Sequence, residues 1–134
     1  MVNATALNKF LLAKAGIKTV NKYRNTKVEV AGRKFDSKKE AQYYLKLLGM
    51  EQNGLIHDLQ LQKRFVLQEG FTDNQGRKQR PITYVADFVY TRKDGQVEAV
   101  DVKSKITEAN QLYRLKRKMF LCRYPEIRFV EIVT

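Results

Sequence analysis

The sequence predicts an α/β domain in which a four-stranded mixed sheet is flanked by helices. Three observations lead there. The 134 residues fit the length of one domain. Hydrophobic residues make up 43% and charged residues 30%, enough apolar side chain for a core and against wholesale disorder. The order of periodic segments is helix, three strands joined as a meander, helix, strand.

The segment Thr5–Ala15 reads as a short amphipathic helix with Leu7, Phe10 and Leu11 as its apolar stripe. Lys9, Lys14, Lys18, Lys22, Arg24 and Lys27 all precede the first acidic residue, Glu29. Residues 1–26 are therefore read as a basic arm and 27–134 as the domain proper. An acid-free start also suits an organellar transit peptide, but the segment is poor in Arg and Ser. Lys27–Val30 and Arg33–Phe35, separated by Ala31-Gly32, predict a hairpin. Ser37 followed three residues later by Glu40 is a capping-box pattern. The helix it opens should run to about Gln52 and stop at Asn53-Gly54. Leu59–Leu67 alternates as a strand, with Leu59, Leu61, Phe65 and Leu67 on one face. Glu69–Arg80, with its Gly, Asp and Asn residues, reads as a long loop ending in Arg77, Lys78 and Arg80. Ile82–Thr91 and Gln96–Lys103 are the next strands. Thr107 is placed to cap a helix from Glu108 to about Cys122, with Leu112, Leu115 and Met119 as its buried stripe. Ile127–Val133 is the last strand.

Lys and Arg total 26 against 14 Asp and Glu, a net charge of +12. Such an excess favours a polyanion as partner, nucleic acid first and an anionic membrane surface second. No apolar run is long enough to span a bilayer. One cysteine, Cys122, excludes a disulfide framework and suits a reducing compartment; at the end of a helix it is read as core. His57 has no second histidine or cysteine cluster, which argues against zinc.

The chemistry concentrates in two strands. Asp87 stands amid Tyr84-Val-Ala-Asp-Phe88, and Asp101 and Lys103 amid Val97–Lys103. Charges among Val, Ala and Phe are rare unless paired or ligating. The turn decides whether they meet. A two-residue Asp94-Gly95 turn puts Asp87 and Asp101 on opposite faces, whereas a three-residue Lys93-Asp94-Gly95 loop puts Asp87 directly opposite Asp101 and gathers Asp87, Asp101 and Lys103 on one face. The second register is preferred, although Asp-Gly suits both. Carboxylates about 5 Å apart at their Cβ atoms repel unless a cation or a proton lies between them. Two carboxylates plus water suit Mg²⁺ or Mn²⁺. A metal ion with a lysine beside it suits phosphodiester hydrolysis. A buried Asp–Lys–Asp ion cluster with no catalytic use fits the same spacing. Glu98 has the other parity and should face away.

Asp87 and Glu98-Ala-Val-Asp-Val-Lys103, following Ser37-Lys-Lys-Glu-Ala41, resemble the PD-(D/E)XK nuclease superfamily, although Ala86 stands where the name has Pro and the QxxxY motif of one branch is absent. Asn21-Lys-Tyr-Arg-Asn25, Phe35–Ala41, Tyr84–Phe88 and Asp101-Val-Lys103 are similar to small phage and prophage proteins of that superfamily. The likeness extends to Holliday-junction resolvases and transposon end-cleaving endonucleases. The resemblance implies a restriction-endonuclease-like αβββαβ core over about residues 37–133. It implies metal ligation by Asp87, Asp101 and the Val102 carbonyl, Lys103 as catalytic lysine, and Glu40 as the acid that completes the site. A capping-box role for Glu40 is the local alternative. Gln62 falls where related endonucleases carry a strand glutamine.

The expected function is Mg²⁺- or Mn²⁺-dependent cleavage of DNA, branched or structured, by a phage- or prophage-encoded protein in the bacterial cytoplasm. Lys38, Lys39, Gln62, Arg64, Arg80 and Lys116 are the candidate nucleic-acid contacts. Cutting two strands with one site per chain suggests a homodimer. The alternative is a catalytically inactive basic module that keeps the fold and binds nucleic acid.

Overall fold

Alternating short strands and one well-capped helix build the first part of the chain. The computed structural model describes residues 18–22 and 25–134, with side chains from residue 27 onward. These residues form two units, one up to Gly54 and one from Leu55 to Thr134. The helix expected over Thr5–Ala15 lies outside the described residues.

In the first unit the expected hairpin is present and gains a strand. β1 (Lys18–Lys22), β2 (Asn25–Val30) and β3 (Arg33–Phe35) form an antiparallel meander. Val30 pairs with Arg33, so Ala31 and Gly32 make a two-residue turn, both at positive φ (50° and 79°) as a type I′ turn requires. Helix α1 (Lys38–Gln52) begins where the capping pattern places it: Ser37 Oγ accepts the Glu40 N–H at 3.1 Å. It ends at Asn53, with Gly54 left-handed (φ 71°). Tyr44 of α1 packs on Phe35, ring centroids 5.2 Å apart, over buried Val28, Val30, Ala41, Leu45 and Leu47.

The second unit is a four-stranded mixed sheet with helices, as expected. β4 (Ile56–Gln68), β7 (Ile82–Arg92) and β8 (Val97–Lys103) are antiparallel neighbours, and β9 (Arg128–Val133) joins β8 in parallel. A helical crossover between β8 and β9 is what a parallel pair needs. The segment read as a loop instead forms a small hairpin, β5 (Phe71–Thr72) with β6 (Lys78–Gln79). Asp73 explains it: its Oδ1 accepts the N–H groups of Gln75 and Arg77, both at 2.9 Å, and Gly76 takes the left-handed turn position (φ 80°).

The second helical segment departs from expectation in two ways. It splits into α2 (Lys105–Glu108), capped by Ser104, and α3 (Gln111–Arg123), capped by Asn110 rather than by Thr107. The buried face of α3 is Tyr113 and Phe120, while Leu112 and Leu115 are 61% and 54% exposed and Cys122 is also exposed. Aromatic volume outweighs the leucine stripe. Phe120 packs edge-on to Phe65 at 5.0 Å, with Tyr84 at 5.3 Å and Phe129 at 5.8 Å. That aromatic core anchors β4, β7 and β9 beneath the candidate site.

Candidate active site

The turn between β7 and β8 fixes the site. Arg92 N–H donates to the Gln96 carbonyl at 2.8 Å, Gly95 N–H donates to the Arg92 carbonyl at 2.9 Å, and Gly95 lies at φ 91°. This is the three-residue loop, and the two-residue alternative is excluded. The register runs from Thr91↔Val97 to Phe88↔Val100 and, one step further, sets Asp87 against Asp101. There backbone pairing gives way to side-chain pairing. By register the Val102 N–H would donate to the Ala86 carbonyl, but it donates to Asp87 Oδ2 at 2.8 Å.

Gln62 holds the other oxygen. Leu61↔Phe88 and Lys63↔Ala86 place Gln62 across from Asp87, and its Nε2 donates to Asp87 Oδ1 at 3.1 Å. Gln62 is left-handed (φ 53°), a conformation that costs a non-glycine residue roughly 1–2 kcal/mol.

Asp101 is fully buried. Tyr84 donates its hydroxyl to Asp101 Oδ2. Asp101 Oδ1 lies 3.1 Å from Lys103 Nζ, yet no donor reaches it with hydrogen-bond geometry. The short separation is thus a charge contact, and a lone pair on a buried carboxylate oxygen is left over. Burial, then the hydrogen bond and charge of Asp87, push the Asp101 carboxyl up to about 7, with Tyr84 and Lys103 pulling the other way. Burial and then the Asp101 charge hold the Tyr84 hydroxyl well above its ordinary range, so it stays a donor. Tyr84→Phe strands Asp101 Oδ2 and is expected to lower unfolding stability by about 1–3 kcal/mol in a urea titration. An unchanged midpoint would mean that the bond does not form in solution.

Aromatic and charged groups of α3 and β9 surround Lys103. Its ammonium lies 5.5 Å from the Tyr113 ring centroid, as does the Arg117 guanidinium. Tyr113 donates its hydroxyl to Glu131, whose carboxylate pairs with Arg117 at 2.8 Å. Burial acts to raise the Glu131 carboxyl, but the bonds from Tyr113 and Arg117 outweigh it and hold the group below its usual range. Glu131 is the β9 neighbour of Asp101 in the parallel register.

A family model described as "Protein of unknown function (DUF1064)" matches residues 20–134. The chain belongs to the DUF1064 family. No curated protein and no solved structure matches it.

In this DUF1064 chain the structure brings Asp87, Asp101, Lys103, Gln62 and the Val102 backbone together. Among the described residues no three His, Cys, Asp or Glu side chains group as a metal centre. Glu40 is buried on α1 of the first unit, its N–H bonded to Ser37, and Lys38 and Lys39 are exposed in the first turn of the same helix. Arg64 is exposed on β4, Arg80 is exposed after β6, and Lys116 is half-buried on the Tyr113 side of α3. Glu98 faces elsewhere, as its parity predicts, and pairs with Arg92 at 2.8 Å. His57 is exposed, its Nε2 3.8 Å from Asp58. Tyr84, Tyr113, Arg117 and Glu131 escape a sequence reading. Only the parallel pairing of β9 with β8 could have pointed to Glu131. Arg117 is half-buried, paired with Glu131 at 2.8 Å.

Proposed function

We propose that this DUF1064 chain is a divalent-metal-dependent endonuclease that hydrolyses DNA phosphodiester bonds, with branched or structured DNA as substrate. One observation carries the reading: Asp87 and Asp101 oppose each other beside Lys103, and buried Asp101 Oδ1 lacks a hydrogen-bond partner. Two adjacent carboxylates with an unsatisfied oxygen fit a hard cation, and Mg²⁺ is content with one or two carboxylates plus waters. Asp87, Asp101 and the Val102 carbonyl would hold it. When bound, Mg²⁺ or Mn²⁺ offsets charge on a phosphate and makes water easier to deprotonate.

The chain's own residues do the rest. Gln62 and the Val102 N–H fix both oxygens of Asp87. Tyr84 fixes one oxygen of Asp101 and leaves the other turned to Lys103. Lys103, partly exposed and paired with Asp101, would place its ammonium beside a phosphate oxygen or the attacking water. The net charge of +12 supplies a sequence-independent attraction for DNA. Phage or prophage DNA processing in a bacterial cytoplasm, by a homodimer with one site per copy, is the setting that the superfamily resemblance suggests. Among the described residues no helix is long and apolar enough to cross a membrane.

A second reading, an inactive nucleic-acid-binding module, is favoured by the 3.1 Å approach of Lys103 to Asp101, which already offsets that charge. One experiment separates the two. The protein is incubated with a four-way junction and a linear duplex in Mg²⁺, Mn²⁺ or EDTA. Cleavage is expected with either metal, none with EDTA, and none with Lys103→Ala. Cleavage that survives EDTA or that substitution sinks the mechanism. Tight binding without cleavage under every condition selects the inactive module.

A further inference from the structure

The four-stranded sheet has two edge strands, β4 and β9. An edge presents a row of N–H and C=O groups to any strand that approaches, so folded chains either blunt their edges or pair them. β4 is blunted. Its register shifts between His57 and Gln60 and again between Val66 and Gln68, Asp58 and Gln62 are left-handed (φ 55° and 53°), and Gln60, Gln62, Arg64 and Gln68 are exposed. β9 carries none of these devices. Its six residues, Arg128-Phe-Val-Glu-Ile-Val133, pair with β8 without a shift, and none is left-handed or proline. Val133 is 43% exposed, and Phe129, Val130, Glu131 and Ile132 are half-buried.

The register decides which backbone groups of β9 face outward. Thr134 N–H donates to the Lys103 carbonyl at 2.9 Å. Alternate residues of a parallel ladder bond inward, so Arg128, Val130 and Ile132 bond to β8. Phe129, Glu131 and Val133 therefore turn their N–H and C=O groups away from the sheet, with no backbone partner among the described residues. Their side chains lie on the α3 side, where Glu131 meets Tyr113 and Arg117. Such an edge calls for an extended strand, and β9 itself is a strand that fits it.

We infer that two copies of this chain pair their β9 strands antiparallel about a two-fold axis at Val130, which joins two four-stranded sheets into one. Only registers that set outward residue against outward residue can bond. With the axis at Val130, Phe129 and the second copy's Glu131 exchange both N–H to C=O bonds, and the symmetry repeats the pair. Arg128 then stands opposite the second copy's Ile132, and Val130 opposite its own mate, so no like charges meet. An axis at Glu131 would oppose two carboxylates, and an axis at Phe129 would run the ladder into Pro125, which has no N–H. The edge is self-complementary in one register. This contact goes beyond the nuclease reading and rests on none of its chemistry, although it supplies the second copy that a cut in both strands requires.

Sedimentation equilibrium of the full chain in EDTA, with enough salt to screen the +12 charge of each copy, is expected to show a monomer–dimer equilibrium. Ile132→Lys meets Arg128 across the axis twice per dimer and is expected to weaken dimerisation roughly ten-fold, while Ile132→Glu strengthens it. Both substitutions put a charge at the same half-buried site, so opposite signs exclude a folding artefact. Cross-linking then reads the register. In a Cys122→Ser background, Val130→Cys should form a disulfide between copies on oxidation, because opposed residues of a non-hydrogen-bonded pair have Cα atoms about 4.5 Å apart, within disulfide reach. Ile132→Cys, roughly 14 Å from its symmetry mate, should not. A chain that stays monomeric at every concentration, a Val130→Cys chain that does not cross-link, or a change of the same sign for both charges overturns the inference. A dimer with this signature that cuts nothing in Mg²⁺ keeps the inference and loses the nuclease reading. A monomer that cuts does the reverse.

Discussion

Asp87→Asn is expected to lower Mg²⁺-dependent cleavage at least ~10³-fold while the chain stays folded. The size follows from the several kcal/mol that a correctly held cation contributes to a phosphoryl transition state, each ~1.4 kcal/mol being tenfold in rate. The folding half follows from geometry. The carboxylate of Asp87 accepts from Val102 N–H on one side and from Gln62 Nε2 on the other. An asparagine oxygen can keep the Val102 bond, and the exposed Gln62 can turn its amide to accept from the new Nδ2–H. Stability should then move by less than about 1 kcal/mol. Asp87→Ala, in contrast, strands the Val102 N–H and should cost about 1–3 kcal/mol. Mn²⁺ affinity, read by electron paramagnetic resonance, should fall with either variant. An Asp87→Asn protein that cuts at the wild-type rate ends the proposal, because the cation would then not need the Asp87 carboxylate.

Much of this site is legible in the sequence because strand parity is a rigid rule. Once Lys93-Asp94-Gly95 is counted as the loop, parity aims Asp87 at Asp101, although backbone pairing ends at Phe88↔Val100 and side chains carry the contact beyond it. What the sequence leaves open is which of two turns Asp-Gly adopts; hydrogen bonding at Arg92 and Gly95 decides it. The α1 limits are equally local, since Ser37 and Asn53-Gly54 punctuate the helix by their own chemistry. Failures arise where tertiary packing outvotes local pattern. Leu112, Leu115 and Met119 have perfect helical spacing, but only Met119 packs on the core, because the sheet offers an aromatic slot that Tyr113 and Phe120 fill. The long alternation of Leu59–Leu67 hides a left-handed residue at Gln62, and another, Asp58, stands just before it where the register shifts, with no glycine to warn of either. Tyr84 looks like any core tyrosine until its hydroxyl is seen on Asp101. The support of the site is therefore harder to read than the site, because it is built from side-chain directions and long-range pairing instead of spacing.

The metal-free protein should lose stability as pH rises from about 4 to about 7, and Asp101→Asn should abolish that loss. The sign follows from proton counts. Burial and the neighbouring Asp87 raise the Asp101 carboxyl from 3.8 in the unfolded chain to about 7 in the native one. Between those values the native state holds a proton that the unfolded state has released, so stability declines with each unit of pH. Below about 4 both states are protonated and above about 7 both are ionised, so the Asp101 contribution is flat outside the window. The span of about three units caps the effect near 4 kcal/mol. Asparagine carries no titration, and its oxygen can still accept the Tyr84 hydroxyl while partly exposed Lys103 turns to water. In urea titrations with EDTA the gap between variant and wild type should widen steadily across the window. Adding Mn²⁺ at pH 8 should close it for wild type alone, because a cation that binds only the native site stabilises that state by mass action. A gap that is independent of pH would mean that the Asp101 carboxylate ionises as easily in the fold as in water, and then the buried unsatisfied oxygen would need another explanation than a place kept for a cation.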